Sequence, residues 1–135
     1  DLRSWAIKEC PHLLFSENVI EPLKVMPFKY SAAQQIQILL KILDDLSQSH
    51  DSSGALNAHG IELHQKNFAT ECGRFSDETS NSKFDFKHPN TGNKLQCSWH
   101  GKVRMDAHYR IHFQWPKPNN SLLWVAYIGP KLTRG

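Results

Sequence analysis

Four side chains in the C-terminal third have the types and spacing for phosphodiester chemistry: His100, Lys102, Arg110 and His112. Cleaving RNA through its own 2′-hydroxyl requires a base for the hydroxyl proton, an acid for the departing 5′ oxygen, and cations beside the phosphorane. Histidine titrates near neutrality and fills either of the first two roles. Lysine supplies a point charge and arginine a bidentate fork for phosphate. His100 and His112 are thus a candidate acid–base pair, and Lys102 and Arg110 candidate phosphate ligands.

Such a group needs an element that presents all four on one side. The run Leu95 to Arg104 and the run His108 to Trp115 both alternate, and strand side chains point to opposite faces with a period of two. Ser98, His100, Lys102, Arg104, His108, Arg110, His112 and Gln114 hold the even positions, while Trp99, Val103, Tyr109, Ile111, Phe113 and Trp115 hold odd ones. With Met105 to Ala107 as a three-residue loop, a common hairpin length, Arg104 pairs with His108, Lys102 with Arg110, His100 with His112 and Ser98 with Gln114. Like charges directly opposite one another are destabilising, and the face carries no Asp or Glu, so an anion is its natural counterpart. Arg104, His108 and Lys131 extend the candidate nucleic-acid surface. Tyr127 joins the catalytic group if the last strand pairs in the register that sets it beside Arg110. The plainer alternative is an antiparallel sheet that shows its polar side to water. By parity, Trp99, Trp115 and Trp124 read as core residues more readily than as platforms for bases.

Charge is divided along the chain in the same sense. Residues 94–135 hold seven Lys or Arg and one acid, Asp106, for +6, whereas residues 1–93 hold nine basic and twelve acidic residues, for −3. Concentrated positive charge on alternating strands is the footprint of a surface for phosphates. At 135 residues the chain fits one domain, 1–135. No apolar run approaches a membrane span. Asp1-Leu2-Arg3-Ser4-Trp5 is neither an initiator methionine nor a signal peptide, so the chain reads as a trimmed or processed piece. Three cysteines without a close pair argue against a disulfide framework and for a reducing, cytoplasmic setting. Cys97-x-x-His100 has a zinc-ligand spacing, but no second pair accompanies it, and four residues of strand separate His108 from His112 by about 13 Å. No metal and no cofactor is therefore expected.

The remaining elements follow from periodicity. Residues 1–30 read as an N-terminal extension: a short helix or strand around Trp5 and Ile7, ended by Cys10-Pro11, then irregular cover punctuated by Pro22 and Pro27. A helical hairpin is predicted over 31–72. Its first helix, Ala32 to Ser47, has a capping box at Ser31 and Gln34 and a stripe of Ile36, Leu39, Leu40 and Leu43, widened by Ile38, Ile42 and Leu46. Its second runs from Ala55 to Cys72 despite Gly60, which costs about 1 kcal/mol relative to alanine, with His59 and His64 on its solvated side. Residues 76–83 form a polar surface loop. An antiparallel sheet over 84–133 includes a short strand at Phe84 and Phe86, the turn His88 to Asn93, the central hairpin and a doubly buried strand, Leu122 to Ile128. The fold class is α+β, with helices packed on one face of a small curved antiparallel sheet.

Tyr109-Arg110-Ile111-His112-Phe113, a turn, and Leu123-Trp124-Val125-Ala126-Tyr127-Ile128-Gly129-Pro130-Lys131-Leu132, following helices, resemble the C-terminal half of the RelE/HigB/ParE type of toxin. The resemblance covers roughly residues 31–133 by order of elements, and residues 1–30 have no counterpart in it. It implies a toxin-like endoribonuclease that works without metal, with RNA as partner, in that family often cleaved on the ribosome, and a small acidic antitoxin as a protein partner. The ParE branch acts on a protein target and lacks nuclease activity, so the resemblance alone does not choose. A non-catalytic nucleic-acid-binding module and a protein-interaction domain for an acidic partner use the same basic face.

Overall fold

The computed structural model describes residues 1–25, 30–70, 82–103 and 109–132. Its first helix, α1 (Leu2–Glu9), starts where the Asp1 carboxylate accepts the Ser4 N–H at 2.8 Å. It stops at Cys10, which precedes Pro11 and leaves the helical region at φ −126°, ψ 70°. Leu13–Phe15 then forms β1, and a 3-10 turn, Glu21–Val25, follows.

Helix α2 (Tyr30–Gln48) carries the stripe the sequence predicts. Ile36, Leu39, Leu40, Leu43 and Leu46 are buried, each such side chain contributing about 1.5–3 kcal/mol. Ile38 is not part of that face: it is 53 % exposed. Helix α3 (Ala58–Asn67) is shorter at both ends than the predicted 55–72. At its start, the Asp51 carboxylate accepts N–H groups of Ser53 and Ala55, which holds residues 51–55 in a turn; the Asn57 side chain then caps the helix by accepting Gly60 N–H. At its end, Phe68 turns extended and enters the core as the first residue of β2 (Phe68–Thr70). Gly60 lies where α3 meets the end of α2, and a Cβ there would stand 2.7 Å from the Ser49 carbonyl. Cys72 and most of the predicted loop 76–83 lie outside the described residues.

Five strands form one sheet in the order β1-β7-β6-β5-β2, with β5 (Trp99–Lys102), β6 (Tyr109–Phe113) and β7 (Leu123–Pro130) at its centre. Pairing is antiparallel except at one edge, where β1 runs parallel to β7 through Leu13↔Leu123 and Phe15↔Val125. The sheet is therefore mixed, and part of the N-terminal extension is a strand of it. Helices cover one face, where Val103, Tyr109, Ile111, Phe113, Val125 and Ile128 join Ile36, Leu40 and Leu43 in the main core. This is an α+β fold with helices packed on the sheet. None of the helices described is long and apolar enough to cross a membrane.

The opposite face has a roof of its own. β3 (Asp85–Lys87) and β4 (Lys94–Gln96) form a separate hairpin around a turn at His88 to Asn93. This hairpin lies over the sheet, with Cys97, Trp124 and Ala126 in a second core cluster against which Leu14, Phe86 and Leu95 pack. Trp124 is core, as expected, but on this roofed side. The run predicted as one strand from Leu95 to Arg104 is thus split: Cys97 N–H bonds to the Phe84 carbonyl at 2.7 Å, and β5 begins two residues later.

Candidate functional site

The predicted register between β5 and β6 holds: His100 stands opposite His112 and Lys102 opposite Arg110. Ser98 and Gln114 fall just outside that ladder; Ser98 Oγ instead meets Thr70 Oγ1 at 3.0 Å, and Gln114 N–H bonds to the Trp124 carbonyl. The hairpin loop, Arg104 and His108 lie outside the described residues.

The histidine rings are 5.2 Å apart between centroids. Nδ1 of His100 is 3.0 Å from the Ser98 carbonyl, and Nδ1 of His112 is 2.8 Å from the Cys97 carbonyl. A carbonyl only accepts, so each Nδ1 carries the proton and each neutral ring keeps its lone pair on Nε2. Both rings are thereby fixed in the tautomer in which Nε2 exchanges protons.

Exposure departs from the open basic face that alternation predicts. His100 is 5 % exposed, Arg110 6 % and His112 2 %. Phe84, which ends a 3-10 turn (Ser82–Phe84) leading into β3 instead of lying in the predicted strand, stacks on His112 at 5.2 Å, and Phe86 of β3 lies 6.1 Å from it, so the roof takes the place of water. Burial is the main reason that the His112 pKa drops to about 4; the Cys97 carbonyl opposes the drop, while the charges of His100 and Arg110 add to it. His112 is consequently neutral at pH 7. Arg110 Nη1 donates to the Tyr109 carbonyl at 3.0 Å, whereas Lys102, its cross-strand partner, is exposed.

Tyr127 does not stand beside Arg110. A register shift between His112 and Phe113 leaves Tyr127 opposite His112 and Gly129 opposite Arg110. The Tyr127 hydroxyl donates to the Pro130 carbonyl at 2.6 Å, and burial raises its pKa. Gly129 makes this fold-back possible, because a Cβ there would meet the Tyr127 hydroxyl at 2.8 Å and Pro22 at 2.5 Å. The tyrosine lines a cavity of about 390 Å³ with Ser16, Asn18, Pro22, Phe86 and Lys87, one to which neither histidine contributes. Lys131 is exposed just after β7.

His100 opens instead toward the β2 edge of the sheet. A groove of about 370 Å³ is lined there by Gln65, Lys66, Asn67, Ala69, His100 and Lys102, together with Leu39 and Phe68. Lys66 was not among the residues singled out from sequence; on α3 it reads as one more solvated charge, and only the α3–β2 junction brings it near Lys102.

Other chemistry-bearing residues have structural tasks. His64 stacks on Trp115 at 4.6 Å and lies 4.4 Å from Trp99, with its pKa lowered by burial, and so is not the solvated residue the helix pattern predicts. Trp99 and Trp115 are correspondingly packed against the main core. The Cys97 thiol is buried and its pKa is pushed up to about 12, first by burial and then by Asp85. Among the described residues no three His, Cys, Asp or Glu are grouped as metal ligands. Comparison with protein-family models, curated proteins and solved structures found no match.

Proposed function

We propose that the chain is a toxin-like, metal-independent endoribonuclease of RelE-like kind that works at the β5–β6 cluster. The observation that supports it is the cross-strand pairing of His100 with His112 next to Lys102 with Arg110, both imidazoles having Nδ1 bonded to a carbonyl. Neutral at pH 7, His112 is in the form of a base, which leaves the acid role to His100. Lys102 and Arg110 supply positive charge for the phosphorane. Tyr127, with its hydroxyl committed to Pro130, orients His112 through ring contact at 5.8 Å. Arg104, His108 and Lys131 add to the charge that holds the strand. In this reading the chain is cytoplasmic, RNA is the substrate, the ribosome is its setting, and the +6 segment also fits a small acidic antitoxin.

One observation favours a second reading. His112 lies beneath Phe84 and Phe86, which suits a non-catalytic nucleic-acid-binding module in which His112 only packs. Incubating the chain with single-stranded and structured RNA in EDTA separates the two: cleavage supports the enzyme, and retention without cleavage supports the binder. No retention even at low salt would remove both and leave a basic surface for an acidic protein. Expression of the chain alone tests the toxin character, with growth arrest as the expected result.

A further inference from the structure

We infer that Lys66, together with Lys102 and His100, forms a phosphate-binding groove at the β2 edge that receives one unpaired nucleotide, so that the RNA strand enters from the side of the sheet. This rests on the RNA reading above and names the route by which substrate reaches His100.

The roof closes the direct way in. With His112 and Arg110 almost fully buried, Phe84 stacked on the His112 imidazole and Phe86 6.1 Å from it, a strand is kept off His112 from the roofed side. The groove beside β2 is lined by His100 and opens to solvent where Lys66 and Lys102 are both exposed. Chain geometry explains how the lysines meet. Lys66 is the penultimate residue of α3, β2 begins two residues later, and the antiparallel pair Phe68↔Gly101 brings that junction level with Lys102 at the end of β5. Among the described residues no carboxylate lines the groove and neither lysine forms a salt bridge. Two ammonium groups and the side-chain amide of Gln65, joined by His100 Nε2 when that ring is protonated, suit an anion that also accepts hydrogen bonds, which is the chemistry of a phosphate. A volume of about 370 Å³ has room for one nucleotide and none for a duplex.

A lysine in the last turn of a helix also complements the helix dipole and so contributes to stability. That role changes the melting temperature without changing how RNA binding responds to salt. The two are separated with the full chain and a fluorescent single-stranded RNA whose 2′-hydroxyls are replaced by fluorine, which removes the nucleophile and leaves binding alone to be measured. Affinity is followed from low to high salt for wild type, Lys66→Ala and, as a control on α1, Lys8→Ala. Each phosphate contact adds about 0.7 to the slope of log affinity against log salt for a single strand, so Lys66→Ala should lower the slope by about 0.7 and weaken binding about fivefold at 0.1 M salt. Lys8→Ala should match wild type, and a duplex of the same sequence should compete poorly. If the strand binds but Lys66→Ala keeps the wild-type slope, or the duplex competes as well as the single strand, the groove is not the entry site, although the RNA reading stands. If wild type retains no strand at low salt, the RNA reading itself is overturned and this inference with it.

Discussion

At His112 burial has an electrostatic consequence within the ordinary working range of pH. Its pKa falls to about 4 because the Phe84 and Phe86 rings replace water around the ring. Between pH 6.5 and 4 the unfolded chain takes up a proton at this position that the folded chain does not. Stability is therefore complete above the ordinary histidine value and falls as pH drops through that window, by up to about 3 kcal/mol. Urea midpoints at pH 7 and pH 4.5 should show the loss in wild type, and His112→Gln should reduce it sharply. Some dependence of the same sign should persist, since His64 is also shifted down by burial. An unchanged difference between the two midpoints in the variant would mean that His112 is not the titrating group. The pairing partners His100 and His112 were legible from alternation alone, because parity and loop length together determine which residues face each other. Their burial was not, since it depends on a hairpin whose strands lie earlier in the chain.

Among elements, the β3–β4 roof makes the difference between an open basic face and an enclosed one. Phe84 is buried and stacks on His112, so Phe84→Ala should cost about 3–5 kcal/mol, the usual range for a buried aromatic. It should also let water reach the imidazole and move the His112 pKa from about 4 toward 6.5, a shift that a histidine NMR titration reads directly. A ring that still titrates near 4 in the variant would show that other groups keep it dry. A second test concerns Gly60. Helix propensity favours alanine by about 1 kcal/mol, yet the Cβ would stand 2.7 Å from the Ser49 carbonyl and 2.8 Å from Leu56. Gly60→Ala should lower stability by about 1–3 kcal/mol, as overpacking does, and a higher denaturation midpoint would contradict the close approach of α3 to α2.

These elements also show what a linear pattern conveys. The α2 stripe was readable because five apolar positions recur on one helical face. The end of α3 was not, because Phe68 continues an acceptable helical pattern and becomes a strand only through its pairing with Gly101. β1 was read as irregular cover because Leu13, Leu14 and Phe15 are too few to alternate; their strand character comes from β7, more than a hundred residues later. The roof left a weak local signal in Phe84, Phe86 and the turn at His88 to Asn93, but nothing in that signal says which face it covers.

For the whole molecule, the division of charge and the groove beside β2 bear on the same expectation. A chain that neutralises several phosphates releases counterions, so RNA affinity should fall steeply as salt rises. A flat response would remove the argument from the +6 segment. Lys102→Ala should weaken binding and lower the salt slope, whereas His112→Ala removes no permanent charge, lies outside the groove and should leave binding near wild type.

Under the proposed function the facing imidazoles transfer the protons in RNA cleavage. Cleavage of single-stranded RNA in EDTA by wild type, His100→Ala and His112→Ala, measured beside RNA binding and melting temperature for each, tests it most directly. Wild type should cleave, each variant should lose about 100- to 10,000-fold in rate, and both should remain folded and bound to RNA. Folded variants that cleave at the wild-type rate, or a folded wild-type chain that binds RNA and leaves it intact, would contradict it.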